Sequence, residues 1–244
     1  MKMILSPTKV MKTEEYIEYK REAIFEEKSD LIACILASYD YEKLKKLLKC
    51  NDKIARTVFD YYKNYDNSEK YPALFTYDGI AYKYLAANTL ESASLEYLDE
   101  HLYIMSGLYG ILRPFDGIKL YRLDAKSAFK INDMDIYQYF ENDIREFIKD
   151  EDVIINLASK EYSRMIEMNL AGHTKYINVE FKELDNGKLK TKATLAKMAR
   201  GSMVNYMAKN KINEYELLKN FNELNFEYDE NLSDAENFVF IRKK

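Results

Sequence analysis

At its centre the chain reads Leu102-Tyr103-Ile104-Met105-Ser106-Gly107-Leu108-Tyr109-Gly110-Ile111-Leu112-Arg113-Pro114-Phe115-Asp116, an apolar run followed by a segment rich in glycine and arginine. Glycine lets the backbone turn or approach another group closely, and Pro114 cannot continue a helix. The stretch therefore predicts a buried strand at 102–105 and then a rigid polar loop, a common place for a site. The same arginines also fit a structural turn in which they cap helices or pair with carboxylates. The polar side chains presented here are Ser106, Tyr109, Arg113, Asp116 and, further on, Tyr121 and Arg122.

Strand-like and helical patterns alternate outward from this stretch. Residues 2–5 and the nearly all-apolar 153–157 predict strands, the latter typical of a central strand covered on both faces. Apolar side chains at helical spacing predict an amphipathic helix over 135–149. We also expect a short strand at 75–77, a helix at 213–221 and, from Asn186-Gly187, a β-hairpin near 174–194. Together these patterns predict an α/β fold, bordering on α+β, with a mixed sheet flanked by helices.

The composition indicates a globular protein of a reducing compartment. The chain has 244 residues, of which 47% are hydrophobic and 32% charged. It shows no apolar run near the roughly 18 residues of a membrane span and no signal-peptide pattern. We therefore expect a cytoplasmic protein without a membrane partner. With only two cysteines, a disulfide framework is not expected.

Tyrosine is the unusual feature of the composition, with 22 residues and no tryptophan. Many of these tyrosines are expected to be part-buried with the hydroxyl bonded. Cys34 falls on an apolar helical face and is expected in the core. Cys50 stands near Lys46 and Lys49, which favour its thiolate and leave a redox-sensor role open.

Conventional catalytic arrangements are missing. The two histidines, His101 and His173, lie far apart without metal-ligand spacing, and no P-loop, Rossmann or nucleophile-elbow motif occurs. We expect neither a metal nor a cofactor.

Polar residues follow several predicted strands, and ligands of open α/β sheets bind beyond strand ends. Ser159 begins a predicted helix, whose N-terminus attracts anions, and Arg113 and Arg122 could grip a phosphate. A nucleotide-like or phosphate ligand fits such a pocket, whereas a buried polar network that ties strand ends together is the alternative. The pocket candidates are Ser6, Lys9, Ser106, Tyr109, Arg113, Asp116, Tyr121, Arg122, Asn156, Ser159, Glu161, Tyr162, Lys197 and Arg200.

Charge is segregated although the net charge is only −4. Residues 187–211 carry seven basic side chains and no acidic one, and 212–240 carry eight acidic side chains against one lysine. A second basic cluster falls on two short predicted helices joined by a tight turn, a candidate helix-hairpin-helix near 41–65. Such clusters suit a polyanion, although a solvated face is the common alternative. The nucleic-acid-binding candidates are Lys45, Lys49, Lys53, Arg56 and, alternating along one strand, Lys188, Lys190 and Lys192.

Several blocks resemble one family along the whole chain. The 106–116 stretch with Tyr121-Arg122-Leu123 resembles the signature of the YaaA family of bacterial peroxide-stress proteins. The other matching blocks are Ile4-Leu5-Ser6-Pro7-Thr8-Lys9, Pro72-Ala73-Leu74-Phe75, Asp78-Gly79-Ile80-Ala81-Tyr82, Asn156-Leu157-Ala158-Ser159-Lys160-Glu161-Tyr162, Lys197-Met198-Ala199-Arg200-Gly201-Ser202-Met203 and Val239-Phe240-Ile241-Arg242.

The resemblance implies one domain over 1–244 and a role in the oxidative-stress response that limits intracellular free iron. It also implies a helix-hairpin-helix and binding to double-stranded or branched DNA. Here the turn Lys49-Cys50-Asn51-Asp52 lacks the glycines that such hairpins use to approach phosphate. The leading hypothesis is a nucleic-acid-binding stress protein. The alternative is an enzyme that acts on a nucleotide or damaged base in the strand-end pocket.

Overall fold

The apolar run at 102–105 forms the predicted strand, extended by Ser106, within a mixed sheet. The computed structural model describes residues 1–13, 15–185 and 188–243. The strands within these residues are β1 (Lys2–Leu5), β2 (Arg21–Glu22), β3 (Tyr71–Pro72), β4 (Leu102–Ser106), β5 (Gly110–Leu112), β6 (Asp116–Ile118), β7 (Val153–Leu157), β8 (Lys175–Asp185), β9 (Lys188–Lys190), β10 (Phe226–Tyr228) and β11 (Asn237–Arg242). The large sheet runs β10-β11-β8-β7-β1-β4-β5, with β9 paired to β8.

The centre of the large sheet is parallel. Strand β1 pairs in parallel with β4 and β7, and β8 pairs in parallel with β7 and β11. The outer partners β5, β9 and β10 are antiparallel. Strands β1, β4 and β7 are almost wholly buried, as expected for strands covered on both faces. Because parallel strands end at one edge, the segments that follow β1 and β7 lie close together.

Nine α-helices of the described residues flank the sheets. They are α1 (Glu26–Ser38), α2 (Tyr41–Leu48), α3 (Asp52–Lys63), α4 (Ala73–Thr76), α5 (Ile80–Leu85), α6 (Ser92–His101), α7 (Ile136–Ile148), α8 (Lys160–Glu167) and α9 (Ala193–Asn210). Helix α7 begins at a capping box formed by Asp135 and Gln138, and the side chain of Asn51 caps α3. Helix α9 packs against α5, α6 and β8. The predicted α/β class with a mixed, helix-flanked sheet is confirmed.

The glycine- and arginine-rich segment after β4 is a buried part of the fold and not an exposed loop. The chain turns at Gly110, whose φ of +69° favours glycine, and returns as β5 along β4. It then enters a small sheet of order β2-β6-β3. Ser106 and Asp116 are both 0% exposed. The alternative of a structural turn therefore describes this segment better.

Three local predictions need correction. Residues 75–77 belong largely to helix α4 because tertiary packing overrides β-propensity there. The expected helix at 213–221 is a 3-10 turn over Tyr215–Asn220. Cys34 is exposed, since α1 buries its Ile32, Ala33 and Leu36 side and turns Cys34 away from the core.

Of the two predicted two-element units, the β-hairpin near 174–194 is present, whereas the helix-hairpin-helix near 41–65 stays a prediction. Strands β8 and β9 form the antiparallel hairpin, and its predicted turn at Asn186-Gly187 lies outside the described residues. Helices α2 and α3 pack together across a short turn in which Lys49 has a φ of 48°. The assignment of this helix pair as a helix-hairpin-helix and its use in binding DNA both stay predictions.

Candidate functional site

A cleft of about 430 Å³ opens beyond the ends of β1 and β7, between the N-termini of α5 and α8 and one side of α9. Strand-end crevices are where α/β sheets bind ligands. Seven of the fourteen pocket candidates line the cleft: Ser6, Lys9, Ser159, Glu161, Tyr162, Lys197 and Arg200. Three distant parts of the chain therefore meet there, namely the turn after β1, the start of α8 and the first half of α9.

Two serines connect the strand ends at the back of the cleft. The backbone N–H of Ser159 donates to Ser6 Oγ at 2.8 Å, and the two Oγ atoms lie 3.2 Å apart. Tyr82 donates from its hydroxyl to the carbonyl of Ser6 at 3.2 Å. Ser159 is the N-cap residue of α8, as predicted, but its side chain accepts no capping hydrogen bond from that helix. The positive end of the α8 dipole thus faces the cleft.

Each carboxylate of the cleft already has a cation. Asp124 accepts from Lys9 at 2.6 Å, Glu161 lies 3.2 Å from Lys126 Nζ, and Asp78 lies 3.7 Å from Lys83 Nζ. These pairs are partly exposed, so each contributes little to stability. Their consequence is electrostatic, because the acidic groups of the cleft are neutralised by neighbouring lysines.

The two basic residues of α9 in the cleft have no such partner. Within the described residues, Lys197 forms no ion pair, and Arg200 Nε is buried without a hydrogen-bond acceptor. Burial lowers the pKa of Arg200 below its ordinary value, opposed by Glu180. Lys197 and Arg200 are three positions apart along the sequence, which places them on the same side of the helix. One side of the cleft therefore carries two basic side chains that form no ion pair within the described residues.

Four candidates from the central segment form buried polar contacts outside the cleft lining. Ser106 Oγ lies 2.6 Å from the hydroxyl of Tyr121, and the hydroxyls of Tyr109 and Tyr65 lie 3.0 Å apart. The remaining one, Asp116, accepts from Arg113 Nε at 2.9 Å and Arg21 Nε at 3.1 Å.

The remaining candidates also lie outside the cleft lining. Arg113 forms an ion pair with Asp116. The carbonyl of Arg122 accepts from the hydroxyl of Tyr62 at 3.2 Å. Asn156 donates to Asn178 Oδ1 at 2.9 Å and accepts from the N–H of Ala158 at 2.8 Å, an arrangement that ties β7 to β8. These groups match the alternative of a polar network between strand ends.

Lys188, Lys190 and Lys192 of the predicted nucleic-acid surface differ in whether they form ion pairs. All three are exposed, but Lys190 and Lys192 pair with Asp185 and Glu183 of β8. Strand β9 ends at Lys190 and Lys192 is the N-cap residue of α9, so the three lysines do not alternate along one strand as predicted.

The basic candidates on α2, α3 and the turn between them differ in whether they form ion pairs. Lys45 pairs with Asp52. Lys49, Lys53 and Arg56 are exposed at or just beyond the turn between α2 and α3, and none of them forms an ion pair within the described residues. Arg56 lies over the ring of Tyr41, 5.2 Å from its centroid.

Some cleft residues were not among the candidates. Asp78, Gly79 and Asp124 line it, as do the exposed apolar side chains of Val10 and Ile80. Asp124 directly follows the Tyr121-Arg122-Leu123 block, and Asp78-Gly79 lies inside another quoted block, so a signal existed for both. No pattern in the sequence predicts that Val10 is exposed.

Residues 1–232 match the family described as "Peroxide stress protein YaaA". The chain belongs to this family. It is 44% identical over 246 residues to a UPF0246 protein of Finegoldia magna and 41% identical over 246 residues to one of Desulfitobacterium hafniense, in each case covering 99% of this chain and 98% of the relative. A UPF0246 protein of Agathobacter rectalis is 40% identical over 249 residues, covering 100% and 99%.

Two further observations concern only the described part of the chain. It contains no helix long and apolar enough to cross a membrane. It also contains no group of three or more histidine, cysteine, aspartate or glutamate side chains placed to hold a metal ion.

Proposed function

We propose that the strand-end cleft binds a phosphorylated, nucleotide-like ligand and that this binding serves the peroxide-stress role of the family. The observation that carries the proposal is the guanidinium of Arg200, whose buried Nε has no acceptor within the described residues. A buried hydrogen-bond donor without an acceptor is costly, more so when it belongs to a charged group. An anion in the cleft would supply the missing partner.

The surroundings of Arg200 favour phosphate over a single carboxylate. Lys197 adds a second cation on the same helix that forms no ion pair within the described residues, and the N-terminus of α8 adds a positive dipole end. Ser6 and Ser159 add hydroxyls at the back of the cleft. A phosphate carries more negative charge than a carboxylate and accepts several hydrogen bonds, so it can use all of these groups.

The rim of the cleft favours a ligand with a flat apolar part. Val10 is 59% exposed and Ile80 is 36% exposed, and both line the opening. A nucleotide combines such a part with a phosphate. In the cell, we propose that ligand binding leads to less free iron and less oxidative damage. An enzyme acting on a nucleotide or damaged base would use the same cleft.

Calorimetric titration of the full chain tests the proposal, with 2′-deoxyadenosine 5′-monophosphate and inorganic phosphate as probes. Arg200→Gln should weaken binding of the nucleotide by roughly tenfold to a hundredfold, because a hydrogen bond to a charged group contributes about 1.5–3 kcal/mol. Lys197→Gln should act in the same direction.

Arg145→Gln is the matched control, since Arg145 is exposed on α7 and pairs with Glu141 away from the cleft. This variant should bind like the wild type. The proposal fails if the wild type binds neither probe, or if Arg200→Gln binds the nucleotide as tightly as Arg145→Gln does.

A second candidate function is DNA binding at the α2–α3 turn. The supporting observation is the exposure of Lys49, Lys53 and Arg56 without ion-pair partners in the described structure. Such cations attract phosphate backbones without reading sequence. This candidate uses a different surface from the cleft, so the two can be tested separately.

A further inference from the structure

Three hydroxyl groups form a hydrogen-bonded chain in the core, in the order Tyr77, Tyr121, Ser106. The hydroxyl oxygens of Tyr77 and Tyr121 lie 2.7 Å apart, and Ser106 Oγ lies 2.6 Å from the hydroxyl of Tyr121. The three residues are 1%, 5% and 0% exposed. None of these three residues lines the cleft of the proposed function.

The donors and acceptors of these hydrogen bonds follow one order. Ser106 Oγ accepts from the backbone N–H of Leu108 at 3.1 Å and of Tyr109 at 2.9 Å. A hydroxyl has two lone pairs and one hydrogen, so both of its lone pairs are in use. Ser106 must therefore donate its hydrogen to the oxygen of Tyr121. The hydroxyl of Tyr121 then has the oxygen of Tyr77 as the acceptor for its own hydrogen, and we take Tyr121 as the donor of that bond.

That direction suits the transfer of a hydrogen atom. If Tyr77 loses its hydroxyl hydrogen atom, the hydroxyl hydrogen of Tyr121 already points at the oxygen of Tyr77. The transfer leaves Tyr77 intact and makes Tyr121 the phenoxyl radical. The oxygen of that radical then accepts hydrogen bonds from both Ser106 and Tyr77. Tyr121 is thus the one member of the chain whose radical would be stabilised from two sides.

We propose that Tyr77, Tyr121 and Ser106 form a radical trap that takes one oxidising equivalent from an oxygen-centred radical and holds it on Tyr121. In the first step, hydroxyl radical and the Tyr77 O–H give water and the Tyr77 phenoxyl radical. In the second, the hydrogen atom of Tyr121 passes to Tyr77. A low-molecular-weight thiol resets the trap by giving its hydrogen atom to Tyr121 and becoming a thiyl radical.

The surroundings place a cavity beside Tyr77 and bury Tyr121. A second cavity of about 280 Å³ is lined by Tyr77, Tyr82 and Phe75, among others. The ring of Tyr109 meets that of Tyr121 edge-on, with centroids 5.5 Å apart. Burial keeps Tyr121 from coupling with a tyrosyl radical of another molecule. The chain has no tryptophan, which leaves tyrosine and cysteine as its most readily oxidised side chains.

The protonation state agrees with this chemistry. Burial raises the pKa of Tyr121 to about 12, opposed by its hydrogen bonds to Ser106 and Tyr77, and it raises the pKa of Tyr77 well above the ordinary value. Both phenols therefore keep their hydrogen at neutral pH, so a hydrogen atom is available for transfer.

Azide radicals generated by pulse radiolysis of the full chain test the proposal, because each takes one electron from a tyrosine, which releases its proton. Rapid freezing and electron paramagnetic resonance should detect a long-lived tyrosyl radical in the wild type. Tyr121→Phe should lose that long-lived signal and form dityrosine cross-links instead. Tyr16→Phe is the control, since Tyr16 is 94% exposed, and it should leave the signal unchanged.

A second variant keeps the test decisive if Tyr121→Phe does not fold. Tyr77→Phe removes one hydrogen bond to the radical oxygen, so the gx value of the remaining Tyr121 radical should rise. Circular dichroism verifies that each variant is folded. An equally long-lived signal in folded Tyr121→Phe would overturn the proposal, as would an unchanged gx in Tyr77→Phe or the absence of a long-lived radical in the wild type.

Discussion

Individual polar side chains differ in whether the fold already supplies their hydrogen-bond partners. Asp116 is 0% exposed and accepts from the backbone N–H and Nε of Arg113 and from Nε of Arg21. These bonds commit both arginines to structure. Arg200 is the opposite case, since its buried Nε finds no acceptor within the described residues. The unsatisfied arginine, and not the satisfied pair, is therefore the better indicator of a ligand.

Arg113→Lys should lower the free energy of unfolding by about 1–3 kcal/mol, because lysine cannot reproduce the directed Nε contact and Asp116 is buried. Urea unfolding measures the change. Arg145→Lys, at an exposed position on α7, should cost less than about 0.5 kcal/mol. Nucleotide binding by folded Arg113→Lys should be unchanged, and a selective loss of binding would place Arg113 in the site after all.

At the scale of elements, the cleft depends on the close packing of α9 against α5. Gly201 lies on α9 directly after Arg200, and a Cβ built there would fall 1.9 Å from the carbonyl oxygen of Ala81 in α5. That oxygen belongs to the backbone and cannot move aside as a flexible side chain could. The approach of the two helices holds Arg200 and Lys197 against the cleft, whose other side includes Gly79 and Ile80.

Gly201→Ala should destabilise the protein by about 1–3 kcal/mol through overpacking, although alanine is otherwise the better helix former by about 1 kcal/mol. Gly172→Ala is a matched control, because no atom lies within 4 Å of a Cβ built at that position. Thermal unfolding of both variants should give changes of clearly different size. Equal stability of the two variants would contradict the packing described for α9 and α5.

For the whole molecule, charge segregation along the sequence becomes weaker in three dimensions. Lys190 and Lys192 of the basic 187–211 segment pair with Asp185 and Glu183 on the neighbouring strand. Of the two predicted basic surfaces, the helix pair therefore has more uncompensated charge than the hairpin. We expect DNA binding, where it occurs, to use the helix pair.

Changing Lys49, Lys53 and Arg56 together to Gln should weaken binding to duplex DNA more than the same change at Lys188, Lys190 and Lys192. The slope of log K against log salt is negative. If all three side chains contact phosphates, its magnitude should decrease by about 2.7, or 0.9 per phosphate. Fluorescence anisotropy over a range of salt concentrations measures this slope. Stronger effects from the hairpin variant would reverse the ranking, and no wild-type binding at low salt would end the DNA hypothesis.

The sequence by itself determined the class of the fold, the central strands and the family. Those features depend on local information: apolar runs at 102–105 and 153–157, Asn51 as a helix cap, and blocks of unusual composition. Only the tertiary structure decided which polar residues meet. Ser6 and Ser159 are 153 residues apart and share a hydrogen bond, whereas Arg113 and Asp116, three apart, satisfy each other. Periodicity records which face of an element is buried, but pairing partners depend on how the elements pack, and the cleft is a product of that packing.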